Sequence, residues 1–166
     1  MNTRHNGRGY CGIGVYRPKS GVNVGTLWRS AQCLDARLIF TIQERFPEIA
    51  RTNMHAADPA LGQRTDTMCA TRHVPYMRFS DVAALRDAFP LVEIVAVELA
   101  DRAVDLVRFQ HPERALYLLG AEDTGIPRAV LAQCDHVVQI DSWRCLNVAA
   151  TGTVVLYDRN AKRART

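Results

Sequence analysis

Three segments of this 166-residue chain set polar side chains among glycines and small residues in patterns that could do chemistry. The first is Asn23, Gly25 and Arg29, an NxGxxxR spacing in which an amide and a guanidinium lie within two helical turns. Read alone, this is a capped helix carrying one solvated arginine. The second is residues 118–127, Leu-Leu-Gly-Ala-Glu-Asp-Thr-Gly-Ile-Pro. Gly120 and Gly125 allow positive φ and close approach to a ligand, and Glu122 could accept hydrogen bonds from a cationic or amine-bearing group. Equally, this is a strand-to-helix turn whose acidic residues favour the helix N-terminus. It lacks the Lys-Ser/Thr of a phosphate-binding loop, and an acidic loop suits phosphate poorly, which speaks against nucleoside triphosphates and, more mildly, against NAD. The third is residues 140–150, where a polar bend with Trp143, Arg144 and Cys145 leads into a helix through Asn147. Asparagine is a poor helix former that prefers caps, so its place in a first turn stands out from an ordinary last helix. The small residues Ala149, Ala150 and Gly152 would let another backbone come close.

These segments need a scaffold, and the apolar pattern supplies one. Residues 12–15, 37–42, 75–79, 93–99, 115–120 and 136–140 read as strands, most of them short apolar runs. Between them, residues 24–34 have helical spacing with Asn23 as N-cap, Ser80-Asp81 can cap a helix to about Phe89, and residues 101–109 read as a weak helix. Pro127 opens a helix to Cys134, and residues 146–158 form a long apolar helix before a polar tail, 159–166. Residues 43–73 are a long polar excursion with Arg45, Arg51, Arg64 and Arg72. Apolar strands alternating with helices argue an α/β fold with a parallel sheet flanked by helices. Ligands then belong in the loops at the carboxyl ends of the strands.

Composition narrows the field. With 48% apolar residues the chain, 1–166, fits one domain. Lys and Arg number 21 against 17 Asp and Glu, a net charge of +4 that is compatible with nucleic acid without proving it. Five cysteines and five histidines are scattered with no CxxC pair, so neither a disulfide framework nor a zinc site is expected. The N-terminus has no signal-peptide run, and no apolar stretch approaches the ~20 residues of a membrane span. A cytoplasmic protein is expected.

Taken in order, NxGxxxR at 23–29, LGxExxGIP at 119–127 and CLNVAxxG with a following LYD at 145–158 resemble the three motifs of the SpoU (TrmH-type) RNA 2′-O-ribose methyltransferases of the SPOUT class. The likeness runs from about Tyr10 to Asp158 and is weakest in residues 43–73. It implies a SPOUT-type fold with a C-terminal trefoil knot, an S-adenosylmethionine cofactor and a homodimer that builds each site from two chains. Carried over, Val97, Glu98, Leu119, Gly120, Glu122, Ile140, Cys145, Leu146 and Val148 would bind the cofactor. Arg29, Asn23, Asn147 and Glu122 would form the catalytic group. Arg29 would act on the ribose hydroxyl as a base, or hold the neighbouring phosphate and stabilise the developing alkoxide; a guanidinium, with a pKa above ~12, makes an awkward base. Asn23 would steady the loop and the RNA, Glu122 would anchor the cofactor pocket or the arginine, and Asn147 would orient the substrate phosphate or Arg29.

Arg17, Lys19, Trp143, Arg144 and the tail residues Lys162, Arg163 and Arg165 are candidate RNA contacts, or else a solvated basic surface. Helices 24–34 and 146–157 are candidates for the dimer interface. Short members of the family mostly act on tRNA, so tRNA comes first and ribosomal RNA second. The chain departs from the family pattern at Cys145, where serine is usual, and at Asp141, where proline is usual. A nucleophilic Cys145 is disfavoured, because only Arg144 stands beside it to lower its pKa. Two other readings stay open: a non-catalytic RNA-binding module of the same fold, and a SPOUT enzyme that methylates a base.

Overall fold

The computed structural model describes residues 9–45 and 72–163. Most of the 43–73 excursion, including Arg51 and Arg64, lies outside the described residues, as does Arg165. Within them the strands are β1 (Tyr10–Tyr16), β2 (Leu38–Ile42), β3 (Tyr76–Phe79), β4 (Glu93–Val97), β5 (Val104–Asp105), β6 (Arg114–Leu119) and β7 (His136–Gln139). They form one sheet in the order β3-β2-β1-β6-β4-β7-β5. Every pairing is parallel. The helices are α1 (Gly21–Cys33), α2 (Val82–Ala88), α3 (Arg128–Leu131) and α4 (Val148–Arg163).

A parallel sheet must be covered on both faces, and alternate side chains do this with two separate cores. Ile13, Val15, Val95, Tyr117 and Leu119 pack under α1 and α4. Leu38, Phe40, Ile94, Leu116 and Leu118 pack under α2 and α3. α1 and α4 lie against each other. Gly152 makes that possible, because a Cβ there would stand 2.3 Å from Leu27 Cδ1 and 3.0 Å from both Ile13 and Leu119. Thr153 Oγ1 donates to Ser30 Oγ at 2.8 Å and Asn160 Nδ2 to the Leu34 carbonyl at 2.7 Å, closing the same seam.

Four expectations change. α1 is capped by Ser20, whose side chain accepts from the Asn23 N–H; Asn23 stands inside the first turn, and its side chain is free for another use. Residues 101–109 form a turn, the two-residue edge strand β5 and a 3₁₀ turn rather than a helix, because Val104 and Asp105 pair with β7. The helix after Pro127 ends at Leu131, four residues long. Finally, the tail does not begin at Arg159, since α4 continues to Arg163. Arg159 is fully buried. Its guanidinium donates to the carbonyls of Pro112 (2.6 Å), Glu113 (2.7 Å) and Tyr10 (3.4 Å) and to the Tyr117 hydroxyl (3.1 Å). Lys162 and Arg163 likewise donate to carbonyls, those of Leu106, Phe109 and Pro112, so they serve the fold before any RNA. Among the described residues no helix is long and apolar enough to cross a membrane.

Candidate active site

The carboxyl ends of β4, β6 and β7 open into a cavity of about 740 Å³. Its wall takes Val97 and Glu98 from the end of β4, Leu119, Gly120 and Glu122 from the loop after β6, Ile140 from the end of β7, and Cys145, Leu146 and Val148 from the approach to α4. Three loops distant in sequence therefore meet where the strand order places β6, β4 and β7 side by side. All nine residues expected at a cofactor line this one space.

The loop after β6 gets its shape from within. Ala121 bridges to Gly125, which sits at φ +60, where an L side chain is strained. The carboxylate of Glu98 fills the hollow behind it, accepting from the N–H of Ile126 at 2.7 Å and of Leu99 at 3.0 Å. A Cβ at Gly120 or Gly125 would come within 2.8 or 2.5 Å of Glu98 Oε2. Glu98 thus buttresses the loop, a use its place in the sequence gave no sign of.

The catalytic candidates divide. Asn23 Nδ2 donates to Glu122 Oε1 at 2.7 Å, and Asn147 Nδ2 donates to Asn23 Oδ1 at 3.1 Å. One residue from each motif stands in that series of two amides and a carboxylate at the cavity mouth. Asn147 is not a misplaced helix residue: its Oδ1 accepts from the N–H groups of Ala149 (2.9 Å) and Ala150 (3.4 Å), satisfying the orphan donors of α4. Arg29 is not part of the group. It is exposed on α1 and does not line the cavity. Six residues past Asn23, it lies about 9 Å further along the helix and about a third of a turn away from that residue's face.

Of the RNA candidates, Arg17 and Lys19 lie in the β1–α1 loop at this same edge, and Trp143 and Arg144 are exposed beside the cavity residues Ser142 and Cys145. Cys145 is a free, exposed thiol. Asp101, Arg128 and Gln139 also line the cavity and were not foreseen. Arg128 alone left a trace, since a cation in the first turn of a helix opposes the helix dipole. The wall carries Glu98, Asp101, Glu122 and Asp123 against the single cation Arg128. Such a space favours a positively charged guest over a polyphosphate. Among the described residues no cluster of His, Cys, Asp and Glu could hold a metal ion.

The profile of the SpoU rRNA Methylase family matches residues 12–157, which include every element from β1 to the middle of α4. The chain belongs to this family. Among SpoU relatives, the tRNA (cytidine(34)-2′-O)-methyltransferase of Ancylobacter novellus is 29% identical over 151 residues, 87% of each chain. The tRNA (guanosine(18)-2′-O)-methyltransferase of Escherichia coli K12 is 26% identical over 118 residues, 66% of this chain and 52% of the relative. The chain thus spans about half the length of that relative. The SpoU methyltransferase AviRb of Streptomyces viridochromogenes, solved in complex with AdoMet, superposes with a TM-score of 0.73 at 22% identity, covering 95% of this chain and 62% of AviRb. The seven-stranded parallel sheet is therefore the SpoU fold.

Proposed function

We propose that this chain is an S-adenosylmethionine-dependent RNA methyltransferase acting on a ribose 2′-hydroxyl, with tRNA as the first substrate class and ribosomal RNA as the second. The observation that carries the reading is the bonded series Asn147–Asn23–Glu122, which draws all three motifs to the mouth of one cavity. The cavity suits the cofactor. Its volume falls within the ~300–1,000 Å³ usual for small-ligand sites, its glycine-lined loop exposes backbone, and its acidic wall matches a sulfonium. Val97, Leu119, Gly120, Ile140, Leu146 and Val148 would hold the cofactor. Bound there, it supplies an electrophilic methyl carbon. Asn23 and Asn147 fix the ribose and its phosphate at the mouth, so that catalysis is chiefly positioning.

Arg29 acts from a neighbouring subunit, as a fixed cation beside the developing alkoxide. A homodimer is supported by the outer face of the packed α1–α4 pair. It exposes Val22, Val154 and Tyr157, the last at 66%, together with Arg29 itself. The C-terminal knot and a cytoplasmic setting belong to the same reading.

The test is Arg29→Ala with total tRNA from cells lacking the protein. Methyl transfer is expected to fall on the order of 10²-fold or more, with calorimetric binding of S-adenosylhomocysteine unchanged. Full activity in that variant would remove Arg29 from the mechanism. Wild-type protein that fails to bind S-adenosylhomocysteine would instead be a non-catalytic RNA module, and nucleoside mass spectrometry finding the methyl on a base would end the ribose assignment.

A further inference from the structure

A residue outside the three motifs ties the RNA-facing loop to the cavity. Arg45, shortly after β2, donates through its backbone N–H to the Pro18 carbonyl at 3.0 Å and through Nε to the Arg17 carbonyl at 2.9 Å. Its two terminal nitrogens fork onto the Asp123 carboxylate at 2.6 and 3.1 Å. Asp123 adjoins Glu122, the residue that accepts from Asn23. The contacts close a ring through the 17–20 loop, the first turn of α1, the loop after β6 and Arg45.

The backbone at the base of this ring is wound unusually. Arg17 sits at φ 48 and Gln43 at φ 51, left-handed values uncommon outside glycine. Such residues persist where surrounding contacts over-determine them. Here the Arg17 N–H donates to the Ile42 carbonyl at 2.7 Å and the Gln43 N–H to the Phe79 carbonyl at 3.2 Å. The hydrogen bond from Arg45 also holds the Asp123 carboxyl down to about 2, so the pair stays ionised at any working pH.

We propose that Arg45 and Asp123 are a positioning pair that sets the loop bearing Arg17 and Lys19 at a fixed distance from the Asn23–Glu122 mouth, so that RNA seated on the loop presents its ribose to the cavity. The proposal rests on the methyltransferase reading. A planar guanidinium held at both edges resists rotation, whereas a lysine would make one contact at a time.

The experiment compares Arg45→Ala, Asp123→Ala, the double variant and Arg45→Lys. Each alanine variant is expected to lose about tenfold in kcat/KM for total tRNA, with the double no worse than the weaker single and lysine recovering only part. In the Arg45 variants, whose side chain does not line the cavity, S-adenosylhomocysteine affinity and Tm should stay near wild type. Effects that multiply in the double variant, wild-type rates in the singles, or a loss of S-adenosylhomocysteine affinity in Arg45→Ala that parallels its loss of rate would each overturn the pairing. Amide exchange at Arg17 and Asn23 reads the strap independently of the reaction: faster exchange is expected in both alanine variants, and unchanged exchange would refute it. A wild-type chain that binds S-adenosylhomocysteine yet methylates no RNA would remove the activity, leaving exchange to decide the strap.

Discussion

α4 is anchored at its start by a partly exposed series of two amides and a carboxylate and near its end by a largely buried cluster of ionisable groups. At the start, Asn147, Asn23 and Glu122 are joined by single hydrogen bonds, with Asn147 and Glu122 lining the cavity. Near the end, the His111 side chain is 1% exposed, with Nε2 2.9 Å from Asp158 and Nδ1 2.6 Å from the Tyr117 hydroxyl. Lys162 pairs with Asp158 at 2.7 Å, and Arg159 closes the cluster on Tyr117. Burial pushes the Tyr117 hydroxyl up to about 12, with Arg159 opposing the rise. The lesson is one of spare capacity. The buried cluster uses its donors and acceptors on the fold itself, whereas the series at the mouth, apart from the Asn147 Oδ1 that caps α4, keeps protons and lone pairs for something that is not protein.

The sharpest test of that contrast is Arg159→Met. It would take the Arg159 donor from the Glu113 and Tyr10 carbonyls and leave Pro112 with Arg163 alone, and a loss of about 3 kcal/mol or more in urea unfolding is expected. Any S-adenosylhomocysteine binding by the folded fraction should persist; loss of binding without loss of stability would reverse the roles of the two ends. Next comes Asn147→Ala, which removes both a helix cap and a mouth amide. About 1 kcal/mol of stability should go, together with methyl transfer, while Asn23→Ala should cost transfer but stay within about 0.5 kcal/mol of wild-type stability. Equal stability losses in the two would mean that the mouth is structural too.

The smallest effect concerns pH. Burial lowers the pKa of His111, against the pull of the Asp158 carboxylate. Protonation would also set a second ring N–H against a Tyr117 hydroxyl that already accepts from Arg159. Unfolded histidine takes its proton near ~6.5, so this contribution is complete above that value and is lost as pH falls through the lower folded value. Tm should drop between about pH 7.5 and about pH 5, and His111→Gln should flatten the slope. A slope unchanged by the substitution would assign the pH dependence elsewhere.

Much of this was legible in the sequence, and the failures share a cause. Strands announced themselves as apolar runs because a doubly covered sheet demands them, and the three motif loops followed from strand ends. Ser20 was passed over as the cap because Asn23 is equally good by type, and only the chain path shows which one precedes the first turn. Arg159 looked like tail because its partners are main-chain carbonyls, which carry no sequence signature. Glu98 and the Arg45–Asp123 pair were hidden for a related reason: they act on backbone or across 78 positions of sequence. Arg29 was named by its motif, but one chain does not bring it to the cavity.

The strand order also governs how the protein comes into being. Among the described residues β5 pairs with β7 alone, and β7 slots between β4 and β5 although it is made after both. On the ribosome, at about 5–20 residues per second, the first half of the sheet can close early. The cavity half must stay ajar until β7 and α4 emerge and Arg159 of α4 returns to clasp the Tyr10 carbonyl at the beginning of β1. A nascent chain halted after β6 would have β1 and β6 but not β7 and the approach to α4, which supply the rest of the cavity wall.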